Sequence, residues 1–524
     1  MRFADHVITG AHIRTLDPKR PCASQLAIWD GIIVAVDDVR HWRGARTEVH
    51  DLRGATLVPG LVDGHQHPIP GATRFTGLDL SGCRTPAQLR DAVAAEARRL
   101  PNGQWLTGHG LSRAAFGGSQ VTAELLDDVL GERPAYLVLF DAHSALASKA
   151  ALRAAGITGP REFASRARIV CAADGTPTGH LLEHPAMDLV QRVVPAAPLC
   201  ERRAQVVQLL KEMAATGLTG AHAMDMEADT LEIVKGIDRL PIRLRFAPWA
   251  SPGIGEDDLD RLIALRHHRG ERWSVGAVKF FLDGTVEGGT AWLAEPDRHG
   301  ENTASFWRDP EAYSRTVRHV VARGFGTATY AIGDAAVRHA LDTLAALPRT
   351  AGHRIEHIET LPLADVRRFA ELGVAASMQP THPAFTSADH TDPWSARLGG
   401  ERALRAWPMR DLHESGATVV LGSDWPVAPY DPRILLASAR LRRLPGTRDD
   451  PVVPAQAICG EAALAGLTRN AAVASCESHV AGRIATGYRA DLTALAVDPV
   501  TAPPDELAEA PVVLTMVDGE VTFA

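Results

Sequence analysis

The sequence predicts a parallel α/β fold, a (β/α)8 barrel, with a smaller β domain formed by both ends of the chain. Apolar strand-like runs alternate with helical stretches, a pattern typical of parallel α/β proteins. Eight such runs fit a barrel, and a doubly wound sheet is the alternative. With 524 residues, 45% of them apolar, the chain can bury a large core or more than one.

The two ends of the chain are predicted to form short strands separated by turns. Runs such as HVITGAHIRTL near the start and PVVLTMVDGEVTFA at the end show little helical periodicity. Asp30-Gly31 and Asp518-Gly519 are hairpin turn signals. We therefore expect residues 1–56 and 477–524 to form one β domain.

The eight apolar runs lie between residues 57 and 476, the predicted barrel, with the first beginning at its edge. They are TLVPGLVD, GLTGAHAM, IRLRFAPW, VGAVKFFLD, FGTATYAIGD, HRIEHIE, GVAASMQP and ATVVLGSD. The first two runs are separated by about 150 residues, far more than one crossover helix needs. That interval contains a strand-like run of its own, AYLVLFDAH, and helices. Residues from about 70 to 200 are therefore predicted to form an inserted subdomain.

Composition and charge exclude several functional classes. A net charge of −8 and a pI near 6.3 do not favour a nucleic-acid or anionic-membrane partner. The N-terminus has no signal-peptide pattern and no segment approaches a membrane span, so we expect a soluble, cytoplasmic protein. The six cysteines are scattered without a C-x-x-C pair, which implies neither a disulfide framework nor a thiolate metal site.

The first barrel run ends in a pair of histidines, within VDGHQHPIP. Side chains at positions i and i+2 of a strand point to the same side. His65 and His67 would therefore converge on one point, as a metal ion requires. Two surface loop histidines are the alternative explanation of this spacing.

Potential metal ligands follow most of the other predicted strands. In a barrel, the active site lies at the carboxyl ends of the strands. Those ends carry His65 and His67 (first), His222 or Asp225 (second), Lys279 (fourth), Tyr330 (fifth), His357 (sixth), His382 (seventh) and Asp424 (eighth). Each residue alone could be a core histidine or a helix cap, but the set favours a metal site.

Lys279 lies in an apolar strand, VGAVKFFLD. Burying its ammonium group there would cost several kcal/mol. It could pair with an acid such as Asp283, or react with carbon dioxide to form an anionic carbamate. A neighbouring divalent cation would repel the ammonium and stabilise the carbamate, so a metal site favours the second possibility.

Several motifs together resemble the amidohydrolase superfamily, and specifically its amidohydrolase-3 branch, which includes N-substituted formamide deformylases. They are LVPGLVDGHQHP, VKFFLDGTVE, AIGDAAV, HRIEHIE, SMQPTHP and LGSDWPVAP. The similarity runs almost from end to end of the chain. It implies a distorted (β/α)8 barrel and a small β-sandwich domain made from both chain ends.

The resemblance implies roles for individual residues. His65 and His67 would bind the more buried metal, commonly zinc, and Lys279 would be carboxylated and bridge where two metals are present. His357 would bind the second metal, and Asp424 would bind the first and shuttle the proton of the attacking water. Residues that could face the substrate are His143, His382, Trp292 and Trp425, although the tryptophans could equally pack the barrel against its helices.

Tyr330 departs from the pattern, because relatives usually carry a histidine at this place. A phenol with an ordinary pKa near 10 is a poor ligand at neutral pH. Tyr330 could bind a metal as phenolate. Alternatively, the site could hold a single metal, and the Tyr330 hydroxyl could donate a hydrogen bond to a substrate carbonyl. The second site and hydrolysis could also be lost, or the side chain could simply pack at the barrel mouth. We favour the hydrogen-bonding role, since the remaining ligands suffice for a single-metal site.

The resemblance implies metal-dependent hydrolysis of an amide-type, non-peptide C–N bond in a small organic molecule. An activated water would be the nucleophile, and His143 or Tyr330 would help to polarise the carbonyl. A decarboxylase, hydratase or isomerase with the same ligands is an alternative, as is a binding protein on a decayed site. The expected cofactors are one or two zinc ions, together with carbon dioxide for the carboxylation of Lys279. A homodimer is the expected possible assembly.

Overall fold

The structure, a computed structural model, describes residues 2–227 and 229–524. Its strands are, in chain order, β1 (His6–Thr9), β2 (His12–Arg14), β3 (Cys22–Ala23), β4 (Leu26–Trp29), β5 (Ile32–Val36), β6 (Glu48–Asp51), β7 (Thr56–Pro59), β8 (Leu61–Gln66), β9 (Leu78–Asp79), β10 (Leu106–Leu111), β11 (Ala135–Leu139), β12 (Ser144–Ala147), β13 (Arg168–Cys171), β14 (Pro177–Leu182), β15 (Leu218–Ala223), β16 (Arg243–Phe246), β17 (Arg269–Gly270), β18 (Trp273–Val275), β19 (Ala277–Phe281), β20 (Gly326–Ala331), β21 (His353–His357), β22 (Ala375–Met378), β23 (Val419–Leu421), β24 (Leu492–Leu495), β25 (Val512–Val517) and β26 (Glu520–Phe523).

The α-helices are, in the same order, α1 (Pro68–Thr73), α2 (Pro86–Arg99), α3 (Asp127–Leu130), α4 (Lys149–Ala154), α5 (His184–Gln191), α6 (Leu199–Ala215), α7 (Thr230–Lys235), α8 (Glu256–Ala264), α9 (Pro310–Ala322), α10 (Asp334–Ala345), α11 (Leu363–Leu372), α12 (Pro393–Leu398), α13 (Gly400–Ala403), α14 (Met409–Glu414), α15 (Pro432–Leu441), α16 (Gly460–Gly466), α17 (Arg469–Ala474) and α18 (Pro504–Glu509). Among the described residues, no helix combines the length and apolar character needed to cross a membrane.

Two sheets contain the eight predicted barrel runs. One has the order β17-β18-β16-β15-β8 and the other the order β19-β20-β21-β22-β23. All neighbours in them are parallel except β17 and β18. From β8 through β15 to β16, and from β19 to β23, strand order follows chain order and helices connect successive strands, as in repeated strand–helix–strand units. Single parallel bridges link the sheets, between Gln66 and Trp425 and between Trp249 and Lys279.

The strands at the centre of the second sheet are buried along their whole length. Every residue of β20 and of β21 is buried, because helices pack outside the sheet and side chains fill its inner face. The prediction of a mixed α/β fold is confirmed. The closed barrel stays a prediction, since two separate sheets are joined only by isolated bridges.

The two ends of the chain share a sheet with the order β26-β25-β24-β7-β2-β3. Here β7 lies antiparallel to β24, with Val58 opposite Thr493. The predicted run TLVPGLVD is therefore divided at Gly60, since only its second half, β8, joins the parallel strand β15. Strands β5, β4, β1 and β6 form a further sheet near the N-terminus. The predicted domain limits at residues 56 and 477 stay a prediction.

A third region lies between β8 and β15. Its sheet has the order β13-β14-β12-β11-β10-β9 and spans residues 78–182. Apolar residues such as Leu106, Leu137 and Leu146 form a core of their own on one face of this sheet. The interval between the first two parallel strands thus contains an independently packed layer, and its last strand leads towards the candidate site.

Arg272 attaches the C-terminal hairpin to the parallel strands. Its guanidinium is 2% exposed and donates hydrogen bonds to the carbonyl oxygens of Leu240 and Val517, at 3.0 and 2.8 Å. It also pairs with Glu520 at 2.6 Å. A buried cation of this kind is stabilising only while all its partners are in place.

We expect Arg272→Met to lower the melting temperature by several degrees, equivalent to a loss of about 3 kcal/mol, because it leaves buried acceptors without a donor. Differential scanning calorimetry measures the shift. Arg261→Met is the matched control, since the side chain of Arg261 is 72% exposed, and it should change the stability by less than about 0.5 kcal/mol. Equal melting temperatures for the two variants would contradict the stabilising role of Arg272.

Candidate active site

His65 and His67 lie at the end of β8, and each is held by a buried carboxylate. The Nδ1 atom of His65 is 2.7 Å from Glu356 Oε2, and that of His67 is 2.7 Å from Asp225 Oδ2. Since a carboxylate accepts, each Nδ1–H donates and each Nε2 is directed elsewhere. Both Nε2 atoms converge on Oδ1 of Asp424, at 3.4 and 3.3 Å.

The two imidazoles differ in charge because their surroundings differ. Burial lowers the pKa of His65 to about 4, so the ring is neutral. Its Nε2 lone pair then faces a carboxylate oxygen and has no hydrogen-bond partner among the described residues. Burial also disfavours the charged form of His67, but hydrogen bonds to Asp225 and Asp424 raise its pKa to about 9. A cation between these atoms would use the Nε2 lone pair of His65 and would displace the Nε2 proton of His67.

Asp424 follows β23 and remains ionised at neutral pH. Burial opposes ionisation, but the His67 hydrogen bond and the nearby imidazoles hold the pKa of the carboxyl well below its usual value. Asp424 and His357 both have positive φ angles, of 61° and 74°. For residues other than glycine such angles cost about 1–3 kcal/mol and are concentrated at functional sites.

Lys279 occupies the middle of β19 with no solvent exposure. Its Nζ atom has no hydrogen-bond partner among the residues that the structure describes. Burial lowers the pKa of the amine to about 8. The Nζ atom lies 5.2 Å from the centre of the Phe281 ring and 5.7 Å from that of the Tyr330 ring. Among the residues with described positions, no acid pairs with the amine, and Asp283 instead accepts a hydrogen bond from the backbone N–H of Ile332, at 3.0 Å.

Tyr330 and His357 stand side by side at the ends of β20 and β21. Their ring centres are 4.3 Å apart, and the His357 ring is 4.8 Å from that of His65. Burial lowers the pKa of His357 well below its ordinary value, so it is neutral. Burial raises the pKa of Tyr330 well above 10, which keeps its hydroxyl protonated.

His143 reaches the site from the region between β8 and β15. Its Nδ1 is 2.8 Å from Glu183 Oε2, and its ring centre is 5.0 Å from that of Tyr330. Burial disfavours its protonation, but the Glu183 carboxylate raises the pKa of His143 overall. His143 lies in the loop before β12 and Glu183 follows β14, so this region contributes a hydrogen-bonding pair to the site.

A cavity connects these groups. Seven of the predicted site residues line it: His65, His67, His143, Lys279, Tyr330, His357 and Asp424. The apolar and aromatic part of its wall is formed by Phe75, Tyr136, Val138, Met187, Trp249 and Phe281. A few polar groups within a largely apolar surface are typical of a small-molecule site.

Three predicted substrate-facing residues do not line the cavity. The Trp292 ring packs 5.4 Å from that of His339, and Trp425 packs against Gly71 and 5.7 Å from the ring of Tyr430. Residues in a loop after a strand can point to either side, and these indoles fill space between elements. The structure thus brings Trp249, and neither of those two tryptophans, to the cavity.

His382 reaches Asp424 behind the cavity wall, with its Nε2 3.7 Å from Oδ2. His382, His357 and Asp424 are near enough to share an ion, as are His65, His67 and Asp424. His222 bonds to Arg354 at 2.7 Å, so Asp225 is the second-strand residue that serves the site.

Sequence reasoning missed the residues that hold the histidines in place. Glu356 and Glu183 bond His65 and His143, and neither residue was singled out from the sequence. One signal was present: in HRIEHIE, Arg354 and Glu356 alternate with apolar residues, which places two charges on the same side of a buried strand.

Fold and site together define a class: an α/β protein whose candidate active site, made of histidines, carboxylates and a lysine, lies at the carboxyl ends of parallel strands. The sequence profile described as Amidohydrolase family matches residues 48–523. The chain belongs to the amidohydrolase family, which confirms the resemblance found in its motifs.

Individual relatives are distant but match along their whole length. The chain is 28% identical over 526 residues, 98% of each protein, to YtcJ of Bacillus subtilis strain 168, whose name refers to an amidohydrolase. It is 28% identical over 546 residues, 100% of this chain and 99% of the relative, to the N-substituted formamide deformylase of Arthrobacter pascens. An uncharacterized metal-dependent hydrolase from Pyrococcus horikoshii OT3 shares the fold, with a TM-score of 0.74, 21% identity and coverage of 95% and 99%.

The protonation state of Tyr330 can be tested directly. Because burial raises its pKa well above 10, Tyr330→Phe should leave the tyrosinate absorbance unchanged up to about pH 11. An ultraviolet pH titration of the two proteins, each loaded with zinc, measures this. A tyrosinate band at neutral pH that disappears in the variant would instead identify Tyr330 as a phenolate ligand.

Proposed function

We propose that this chain is a metal-dependent hydrolase that cleaves an amide-type, non-peptide C–N bond in a small molecule with an apolar substituent. One observation carries the proposal. The Nε2 atoms of His65 and His67 converge on one oxygen of Asp424, at 3.4 and 3.3 Å, on the floor of a largely apolar cavity.

The donor set fits a divalent cation, and zinc is the first candidate. His65, His67 and Asp424 would hold it, since imidazole nitrogen and carboxylate oxygen are preferred zinc ligands. Lys279 would complete the site as a carbamate, formed when its neutral amine bonds to the carbon of carbon dioxide and releases a proton. The fully buried Nζ, without a partner among the described residues, supports this role. When bound, such a cation lowers the pKa of a water molecule toward neutrality and polarises a carbonyl.

Asp424 is the proposed proton shuttle. Its carboxylate is ionised and faces the cavity, so it can accept the proton of the attacking water. The same oxygen can then deliver that proton to the leaving nitrogen, which needs it to depart as an amine.

Tyr330 and His143 are the proposed donors to the substrate carbonyl oxygen. Tyr330 keeps its hydroxyl proton, and Glu183 fixes His143 through Nδ1, which directs Nε2 into the cavity. Donors that are positioned before negative charge develops stabilise the transition state. The aromatic wall, with Trp249 and Phe281, would bind the substituent and exclude water.

Two statements about architecture belong to the same proposal. We take the two parallel sheets as one distorted (β/α)8 barrel, closed by the bridges at Gln66 and Lys279. The sheets shared by the chain ends would form the β-sandwich, and residues 70–200 would form the inserted subdomain that supplies His143. The candidate active site would then lie where barrel and insertion meet.

The 28% identity to an N-substituted formamide deformylase makes N-aryl and N-alkyl formamides the first substrates to test. Asp424→Asn should lower turnover at least about 100-fold with zinc content retained, because the proton acceptor is lost. Chromatography of the amine and acid products, released in equal amounts, identifies hydrolysis. Asp450→Asn, at an exposed loop residue, is the control. Unchanged turnover in Asp424→Asn would refute the shuttle, and loss of carbon dioxide or an isomeric product would refute hydrolysis.

Metal dependence has its own test. Treatment with a chelator should abolish turnover, zinc should restore it, and elemental analysis should find about one zinc per chain, because Tyr330 replaces a nitrogen ligand by a protonated hydroxyl. His65→Ala should reduce the zinc content toward zero, whereas His267→Ala, at an exposed histidine, should not. About two zinc ions per chain would contradict the single-metal site and assign the second to His357 and His382.

A further inference from the structure

A second, small cavity lies at the opposite end of the parallel strands. Its wall includes Gly60 and Thr219, which stand at the beginnings of β8 and β15, and the residues that follow α17. None of the residues that line it lines the candidate active site. Nothing in the proposed hydrolysis uses this space.

His222 presents a hydrogen-bond donor to the second cavity. The residue is 5% exposed, and its Nδ1 lies 2.7 Å from Nη1 of Arg354. A guanidinium can only donate, so Nδ1 accepts, and the ring proton of the neutral imidazole must lie on Nε2. Among the described residues, Nε2 has no hydrogen-bond partner, although His222 lines the cavity. This N–H therefore opens onto the cavity without a protein acceptor, and it can donate to a ligand there.

Arg245 is the least closely paired of the cations that line the second cavity. These cations are Arg243, Arg245 and Arg489, and the acidic residues of the wall are Glu477 and Asp491. Arg243 pairs with Asp518 at 2.5 Å and with Asp491 at 3.4 Å, and Arg489 pairs with Glu477 at 3.2 Å. The carboxylate oxygen of Glu477 is 4.0 Å from Arg245, whose hydrogen-bond partner among the described residues is the carbonyl of Gly276, at 3.2 Å.

We propose that the second cavity is a binding site for a small oxyanion, held by the guanidinium of Arg245 and the Nε2–H of His222. An oxyanion would accept a hydrogen bond from His222 and give Arg245 a closer anionic partner than Glu477. A planar carboxylate or a tetrahedral phosphate matches the guanidinium edge through two parallel hydrogen bonds.

A chain of hydrogen bonds connects this site with the candidate active site. His222 accepts from Arg354, Arg354 donates to Glu356 at 2.5 Å, and Glu356 accepts from His65 at 2.7 Å. An anion on Nε2 of His222 increases electron density on Nδ1 and so strengthens its bond to Arg354. Occupancy would therefore rigidify the residues that orient His65.

The first test is isothermal titration of the zinc-loaded protein with inorganic phosphate and with formate, at matched ionic strength. Arg245→Gln should weaken the binding of the preferred anion at least about tenfold, because one charged donor is removed. Arg261→Gln removes an exposed charge far from the cavity and should leave binding unchanged. Tighter binding of phosphate would identify a phosphate ligand, and tighter binding of formate a carboxylate. An oxyanion that binds at the zinc would do so equally in the parent protein, Arg245→Gln and Arg261→Gln, so it does not affect the difference in anion affinity between them.

A second pair of variants tests the cavity without removing any of its donors. Ala481 lines the cavity in an irregular segment, and Ala481→Asp would add a negative charge to the cavity wall. This variant should lose the rise in melting temperature that phosphate or formate produces in the parent protein, whereas the neutral Ala481→Asn should retain at least part of it. The pair tests the site even if Arg245→Gln does not fold. The proposal would be overturned if phosphate and formate gave the parent protein, Arg245→Gln and Ala481→Asp the same rise in melting temperature. It would also be overturned if neither anion raised the melting temperature of the parent protein.

Discussion

The buried ion pair between Arg354 and Glu356 holds the centre of the parallel strands together. Glu356 has no solvent exposure, and a buried carboxylate without partners would cost several kcal/mol. Arg354 donates to both of its oxygens and also to the carbonyl of Gly64 and the hydroxyl of Ser377, so β8, β21 and β22 are fixed at one point. Glu356 uses its remaining acceptor capacity on Nδ1 of His65. The direction of the His65 Nε2 therefore depends on an arginine that does not line the cavity.

A hydrogen bond from a histidine to a buried carboxylate occurs three times around the candidate site. His65, His67 and His143 each donate Nδ1–H to a buried carboxylate, and each carboxylate comes from a different strand or strand end. Such bonds fix the tautomer and the ring orientation of an imidazole, which a ligand or a hydrogen-bond donor needs before substrate arrives. Because the supporting residues come from separate parts of the chain, the complete fold is required to form the site.

Strand patterning was sufficient to predict the α/β class and the residues at strand ends. The carboxyl ends of parallel strands lie at the same edge of a sheet, so the residues that follow them come together there. His65 and Asp424 could be proposed as site residues in this way, from their positions at the ends of predicted strands alone. The supporting carboxylates could not be predicted, since their roles depend on which strands become neighbours. Glu356 and His65 are 291 residues apart and meet only through packing. The positions of the loop tryptophans were open for another reason: after a strand ends, no periodicity determines on which side of the chain an indole packs.

Tyr330 shows how one side chain redirects the chemistry of a site. An imidazole at this position would offer a lone pair, which a cation can use, whereas a buried phenol offers a proton. The neighbouring ring of His143, 5.0 Å away, is held by Glu183 so that it also faces the cavity. In the proposed mechanism the outer half of the site thus changes from binding a second metal to binding carbonyl oxygen. That mechanism would need only one ion, because two fixed donors would stabilise the charge that a second ion would otherwise neutralise.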